Sequence, residues 1–377
     1  MIVILADPRR NLKLPELNFD DEQFTFPLLE AARRRGVEVT YLTKRQKVVP
    51  DADLYVSAHP RYAYDWKERV DKTVVLYHGL GDSELGGTCM RTLSFFSSRI
   101  SIPTRLWRGW LVPGEYFAKG YPQYLRNHVK VVGFPKLDLY FSENAKEIME
   151  NVRRQCNLKL PFTNTVIYAP TFWPLFSPRV VRDAARIGKR LIEASQLIGF
   201  NLITKTHPNV GRNGYGLELL KLMEKSRGLP GINCLIRPSK TYRGTGWLGN
   251  IVPLFWFADV LVSDYSSTLR EFMITGKPSV QVLSPSKSYK PEPGVYHTEM
   301  RQLAETLSKA FDRIDDPREE RTRCVKYYMY KADGHSSDRA IDALVEVMDT
   351  KKISTLFYCL TSRAIERVRS ICGLDRA

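Results

Sequence analysis

The chain is expected to be an α/β protein in which two open parallel sheets face each other across a cleft. Three observations lead to that fold class. The 377 residues exceed the usual size of a single hydrophobic core, which points to two domains of about 150 to 200 residues each. Short apolar runs alternate with longer amphipathic stretches, as strands and helices do around parallel sheets. Polar and glycine-bearing motifs follow directly after several of those runs, where such sheets present ligands.

In the first half, the apolar runs predict strands at 2 to 6, 38 to 42, 53 to 57, 73 to 77, 110 to 112 and 129 to 132. Between the first two, Phe24, Phe26, Leu28, Leu29, Ala31 and Ala32 supply the apolar face of a helix. Gly36 stops it before the run from Val37 to Leu42. A charged helix ends near Leu158-Lys-Leu-Pro161, which sets the expected domains at 1–158 and 159–349, with 350–377 as a separate tail. Beyond Pro161, strands are expected at Val166 to Ala169, Asn201 to Thr204, Asn233 to Ile236, Val260 to Val262 and Ser279 to Val282. Helices near 179 to 198, 215 to 226 and 266 to 275 separate several of them. No solenoid repeat or low-complexity tract is present.

Composition narrows the function classes. Hydrophobic residues at 43% and charged residues at 26% exclude a largely disordered chain. The formal charge of +16 favours an anionic partner: nucleic acid, acidic lipid or a phosphorylated substrate. No nucleic-acid motif and no basic-aromatic-basic strand pattern is found, so no nucleic-acid partner is expected. The opening Met1 to Asp7 turns polar too soon for a secretory segment, and no run approaches 18 apolar residues, so a cytoplasmic location is expected. Cys89, Cys156, Cys234, Cys324, Cys359 and Cys372 lie far apart with no C-x-x-C pair, which predicts free thiols rather than a zinc site or disulfides.

Three motifs carry chemistry. The run Val74 to Tyr77 leads straight into His78-Gly79, and a histidine at a strand's carboxyl end can accept a proton near neutral pH. A second run ends in Lys205-Thr-His207-Pro208, where proline fixes the exit direction. The third and most specific is Ser263-Asp264-Tyr-Ser266-Ser267, followed by Leu269, Phe272 and Met273 on one face of a helix. Free N–H groups at that helix start and the two serine hydroxyls suit a phosphate, and Glu271 suits a ribose hydroxyl; alternatively Asp264 or a serine merely caps the helix. Gly133-Phe-Pro135-Lys136-Leu-Asp138 and Tyr168-Ala-Pro-Thr171 place further turns and polar side chains after strands.

Taken in order, His78-Gly79, Gly133-x-Pro135-Lys136-x-Asp138, Tyr168-Ala-Pro-Thr171, Lys205-x-His207-Pro208, Ser263-Asp-Tyr-Ser-Ser267 and Asp333-Gly-His-Ser-Ser-Asp-Arg339 resemble the CDP-glycerol glycerophosphotransferases, the teichoic-acid primases and polymerases. The resemblance spans about 73 to 345. It implies two Rossmann-like domains in the glycosyltransferase-B arrangement. It also implies transfer of glycerol phosphate from CDP-glycerol, or a related CDP-polyol, to a hydroxyl on a lipid-linked glycan acceptor, with release of CMP and without a cofactor or metal site.

By the same resemblance His78 is the general base and His207 a second catalytic or phosphate-contacting histidine. Gly133, Pro135, Lys136, Thr171, Lys205, Asp264, Ser266, Ser267 and Glu271 hold the donor. The chain departs from the family where Gly79-Leu-Gly-Asp82 replaces Gly-Thr-Pro-x-Lys, where Lys136 replaces arginine and where Glu271 replaces aspartate. Residues 351–372 read as a helix with Leu356, Leu360, Ala364, Val368 and Ile371 along one stripe and Arg363, Arg367 and Arg369 elsewhere. That helix either lies on an anionic membrane surface, making the protein peripheral on the inner face of the cell membrane, or packs across the domains. The alternative enzyme class is a nucleotide-sugar glycosyltransferase or related epimerase of the same architecture. A catalytically inactive scaffold is the third option.

Overall fold

The computed structural model describes residues 2–5, 25–42, 51–57, 72–77, 79–80, 108–121, 123–171, 178–206, 216–235, 250–283 and 291–349. Strands β1 (Ile2–Leu5), β2 (Val39–Leu42), β3 (Leu54–Ser57), β4 (Thr73–Leu76), β5 (Gly109–Val112) and β6 (Val129–Val131) form one sheet in the order β2-β1-β3-β4-β5-β6. Every pairing is parallel. β4 and β5 are buried at all four positions, as strands covered on both faces must be. Helices α1 (Thr25–Arg34), α2 (Glu115–Ala118) and α3 (Ala145–Gln155) belong to this half.

The second sheet contains β7 (Asn164–Tyr168), β8 (Phe200–Lys205), β9 (Ile232–Leu235), β10 (Val260–Ser263), β11 (Ser279–Val282) and β12 (Tyr296–Thr298). Its order is β12-β11-β10-β7-β8-β9, again all parallel. From β7 the chain builds outward to β8 and β9, then returns to build the other side from β10. The strand order therefore reverses between β7 and β10, and the crevice beyond their carboxyl ends is where open α/β sheets bind ligands. Helices α4 (Pro178–Ile198), α5 (Leu217–Ser226), α6 (Thr268–Phe272) and α7 (Leu303–Phe311) follow strands of this sheet.

The last two described helices, α8 (Arg318–Tyr328) and α9 (Ser336–Asp349), lie against elements of the first half. Arg34 at the end of α1 reaches Asp338 at 3.1 Å, and Arg35 reaches Asp342. At the other end of α9, the buried Arg108 donates to the carbonyls of Val347 and Met348, closing a helix terminus that would otherwise leave acceptors unmet. Ala340, Ile341, Leu344 and Val347 of α9 share one core with Val74, Leu111 and Phe117. Leu254, Phe255, Leu269 and Phe272 from the second half join that same core, so the two sheets are bridged by continuous apolar packing. A separate core gathers around β8, α4, α5 and α7.

The sequence expectation of alternating strands and helices in two parallel sheets is met. Among the described residues, Cys156, Cys234 and Cys324 are buried thiols that form no disulfide. The predicted tail helix at 351–372 lies outside the described residues. No described helix is long and apolar enough to cross a membrane.

Candidate active site

Loops leaving four strands, from both sheets, meet around α6. The nearest link is between β7 and β10, at the point where the strand order reverses. Asp264, the first residue after β10, is 2% exposed and accepts the Thr171 N–H at 2.8 Å. Thr171 replies by accepting the Tyr265 N–H on its hydroxyl at 3.2 Å. Each loop thus fixes the other. The second carboxylate oxygen of Asp264, Oδ2, is buried and has no hydrogen-bond partner among the described residues. Burial pushes the neighbouring Tyr168 phenol well above its usual range, with the charges of Asp264 and Asp183 adding to the effect. Tyr168 donates to the Ala184 carbonyl and is a core residue.

The serine pair then opens α6. Ser266 and Ser267 are half-buried, whereas Thr268 to Phe272 are buried. The Ser266 hydroxyl donates to Thr268 Oγ1 at 2.9 Å and accepts the Thr268 N–H at 3.3 Å, and its carbonyl accepts the Leu269 N–H. Two N–H groups of the first turn are therefore satisfied locally. The expected helix at 266 to 275 is shorter than predicted: α6 passes into a three-ten turn, Met273–Thr275, that ends at Gly276 with φ of +66°.

From the other sheet, the chain leaves β6 through Gly133 and enters a three-ten helix, Pro135–Phe141, with Pro135 in its first turn. Proline suits that position because its missing N–H would have no partner there. Lys136 is buried, and its ammonium meets Glu271 of α6 at 2.6 Å, while Ser267 donates to the other oxygen of Glu271 at 3.4 Å. Glu271, expected to accept from a ribose hydroxyl, is thus engaged by Lys136 and Ser267. Asn250 donates to the Lys136 carbonyl at 3.4 Å.

Gly133 has φ of +90° and lies against the start of α9, where an added Cβ would fall 2.5 Å from Ser336 Oγ. Asp138 accepts the N–H groups of Ser336 and Ser337 at 3.0 and 2.6 Å, capping α9 from across the fold. Burial raises the Asp138 carboxyl even so, against the pull of those bonds. Arg339 binds both oxygens of Asp333 at 3.0 Å and donates to the Val132 carbonyl at 2.9 Å. The motifs at 133–138 and 333–339 therefore clasp each other, and their first role is to hold the loop that presents Lys136.

Lys205 ends β8, is 7% exposed and donates to the Thr206 carbonyl at 3.3 Å. His78 and His207 lie outside the described residues. Their neighbours are placed: Tyr77 and Leu80 are buried on one side, Thr206 on the other. Sequence reasoning overlooked Arg270, which donates to the Leu80 carbonyl at 2.8 Å and forks onto Glu292 at 2.8 and 2.9 Å. An arginine within an otherwise apolar helical stretch was the available signal. Among the described residues no group of three or more His, Cys, Asp or Glu is placed to hold a metal ion.

A family model described as CDP-glycerol:poly(glycerophosphate) glycerophosphotransferase matches residues 113–346, more than half of the chain. A variant of the wall teichoic acid polymerase TagF shares the fold with a TM-score of 0.61 at 15% identity, covering 92% of this chain and 88% of that one. The same variant soaked with CDPG gives the same TM-score, identity and coverage. UDP-GlcNAc 2-epimerase from Neisseria meningitidis, bound to UDP-GlcNAc, has a TM-score of 0.54 at 13% identity over 92% of this chain and 99% of that one. No curated protein sequence matches the chain. At these identities the solved structures speak for the architecture alone, two facing parallel-sheet domains of the glycosyltransferase-B type. The family match carries the activity class, a phosphotransferase using a CDP-glycerol-type donor: the chain belongs to the CDP-glycerol:poly(glycerophosphate) glycerophosphotransferase family.

Proposed function

We propose that this enzyme transfers glycerol phosphate, or a similar polyol phosphate, from a CDP-activated donor to a hydroxyl of a lipid-linked cell-wall or surface-glycopolymer acceptor, releasing CMP. The observation that carries the reading is the meeting of loops from both sheets around α6, within and beside the stretch the family model matches. The donor lies over Ser266 and Ser267, whose half-buried hydroxyls turn from Thr268 and Glu271 to hold its pyrophosphate. Asp264 Oδ2, a buried acceptor without a partner among the described residues, is suited to a donor hydroxyl. Lys136 and Lys205 offset the charge on the transferred phosphoryl group and on the departing nucleotide.

An acceptor hydroxyl is too weak an acid to attack a pyrophosphate unaided, so His78 takes its proton as the new O–P bond forms at the donor's β-phosphorus. The bond from that phosphorus to the bridging oxygen breaks, and CMP departs with the electron pair. His207 contacts the phosphoryl group from the second sheet. The segment 351–372 rests on the anionic inner face of the membrane, where a lipid-linked acceptor is reached.

Turnover of CDP-glycerol, CDP-ribitol and UDP-sugars, each with a lipid-linked acceptor, tests the proposal. CMP release from a CDP-polyol alone is expected. Turnover of a UDP-sugar, with the CDP-polyols inert, would replace it with the glycosyltransferase or epimerase class.

A further inference from the structure

We propose that Arg270 is a positioning residue for the transfer step: it fixes the chain segment that bears His78 against the helix that the serine pair opens. This rests on the reading of His78 as the general base.

Arg270 and Glu271 are neighbours on α6, and successive helical side chains leave in directions about 100° apart. Glu271 turns to Lys136 and the loop after β6, while Arg270 turns to the loop after β4. The guanidinium of Arg270 is occupied on every side. Nε and Nη2 bind the two oxygens of Glu292 at 2.8 and 2.9 Å, a fork that sets the plane of the group. The Tyr328 ring lies 4.4 Å from its central carbon and the Tyr116 ring 5.7 Å. Nη1 then points to the Leu80 carbonyl at 2.8 Å, across 190 positions of sequence.

Leu80 is fully buried and stands two residues after His78. On the other flank Tyr77 is held through its N–H on the Leu111 carbonyl and its hydroxyl beside that of Tyr121, at 3.2 and 3.0 Å. Those bonds tie the approach to His78 to its own sheet. Arg270 is what ties the exit from His78 to α6. A lysine keeps the charge but cannot fork onto Glu292 and reach Leu80 together. A buried guanidinium needs such partners in any case; what singles this one out is that Nη1 ends on the residue two positions after His78, a base that must stay in line with a phosphorus held by the neighbouring serines.

The test compares the full-length wild type with Arg270→Lys, His78→Ala and the pair, by CMP release from CDP-glycerol and by CDP-glycerol binding. R270K is expected to lower kcat by about 100-fold, the scale of a misplacement near 1 Å, with donor KM and Kd within about twofold. Because the effect runs through His78, R270K adds nothing to the residual rate of H78A. A kcat for R270K equal to wild type, or effects of the two changes that multiply, would overturn the inference while leaving His78 in place. Full turnover in H78A would instead remove the general-base reading itself. If R270K does not fold, Glu292→Gln takes its place: it keeps the shape but puts an amide donor where one acceptor oxygen stood, which breaks the fork, and a kcat lowered at constant KM supports the inference while an unchanged kcat overturns it.

Discussion

Lys136 and Glu271 meet at 2.6 Å, with side chains 7% and 1% exposed, and so join the loop after β6 of one sheet to the helix after β10 of the other. Removing one partner strands a charge where water cannot reach it. Lys136→Met or Glu271→Leu alone should cost about 3–5 kcal/mol, and K136M/E271L far less than the sum. Urea unfolding of the three variants measures this. The double variant should be folded yet slow in transfer, since Lys136 is proposed to offset charge on the transferred phosphoryl group. Additive losses of stability would show that the pair is not coupled.

Gly133 is required by space as well as by its φ of +90°. A Cβ there would lie 2.5 Å from Ser336 Oγ and 2.8 Å from the Tyr330 carbonyl. Gly133→Ala should destabilise by about 2 kcal/mol or more. Adding Ser336→Ala should restore only part, because the carbonyl remains. Full recovery on denaturant curves would place the clash at the hydroxyl alone.

The clasp between α1 and α9 has a predictable pH dependence. Burial raises the Asp338 carboxyl, but the hydrogen bonds of His335 and Arg34 and the charges of Arg34 and Arg35 outweigh it and hold the group below its ordinary 3.8. A depressed carboxylate contributes stability that is present above that ordinary value and is lost as pH falls through the lower folded value. Arg34 is half in solvent, so the contribution is under about 1 kcal/mol and falls with salt. The stability gap between wild type and Asp338→Asn should therefore be present at pH 7 and shrink toward pH 3. A gap that widens on acidification would contradict the assignment.

Much of this fold is written in short apolar runs. Thr73 to Leu76, Val260 to Ser263 and Ser279 to Val282 are buried at every position, and the same runs were legible as strands. β12 was not, because Tyr296-His-Thr298 is only partly buried and makes no apolar run. The three-ten helix Val252–Trp256 escaped for the opposite reason: five apolar residues in a row carry no period. The ordered motifs marked the loops that build the site. Their pairing was illegible, since the Lys136 and Glu271 contact spans 135 positions and Arg270 meets Leu80 across 190, and no local pattern encodes such distances. The clasp of Asp138 on Ser336 and Ser337 likewise lay in two motifs whose relation only the fold supplies.

The basic excess of +16 and the arginines of 363–369 lead to a membrane prediction. The full chain should sediment with vesicles containing anionic lipid, and a chain ending at Asp349 should stay in the supernatant. Equal sedimentation of both would assign the tail to packing within the protein.

The most direct measurement follows a single phosphorus atom. With CDP-glycerol labelled at the β-phosphorus and a lipid-linked acceptor, the label should pass with glycerol into the lipid fraction, leave unlabelled CMP behind, and fail to move in His78→Ala. Label recovered in CDP would mean that the carbon–oxygen bond had broken instead, and that the enzyme is not a glycerophosphotransferase.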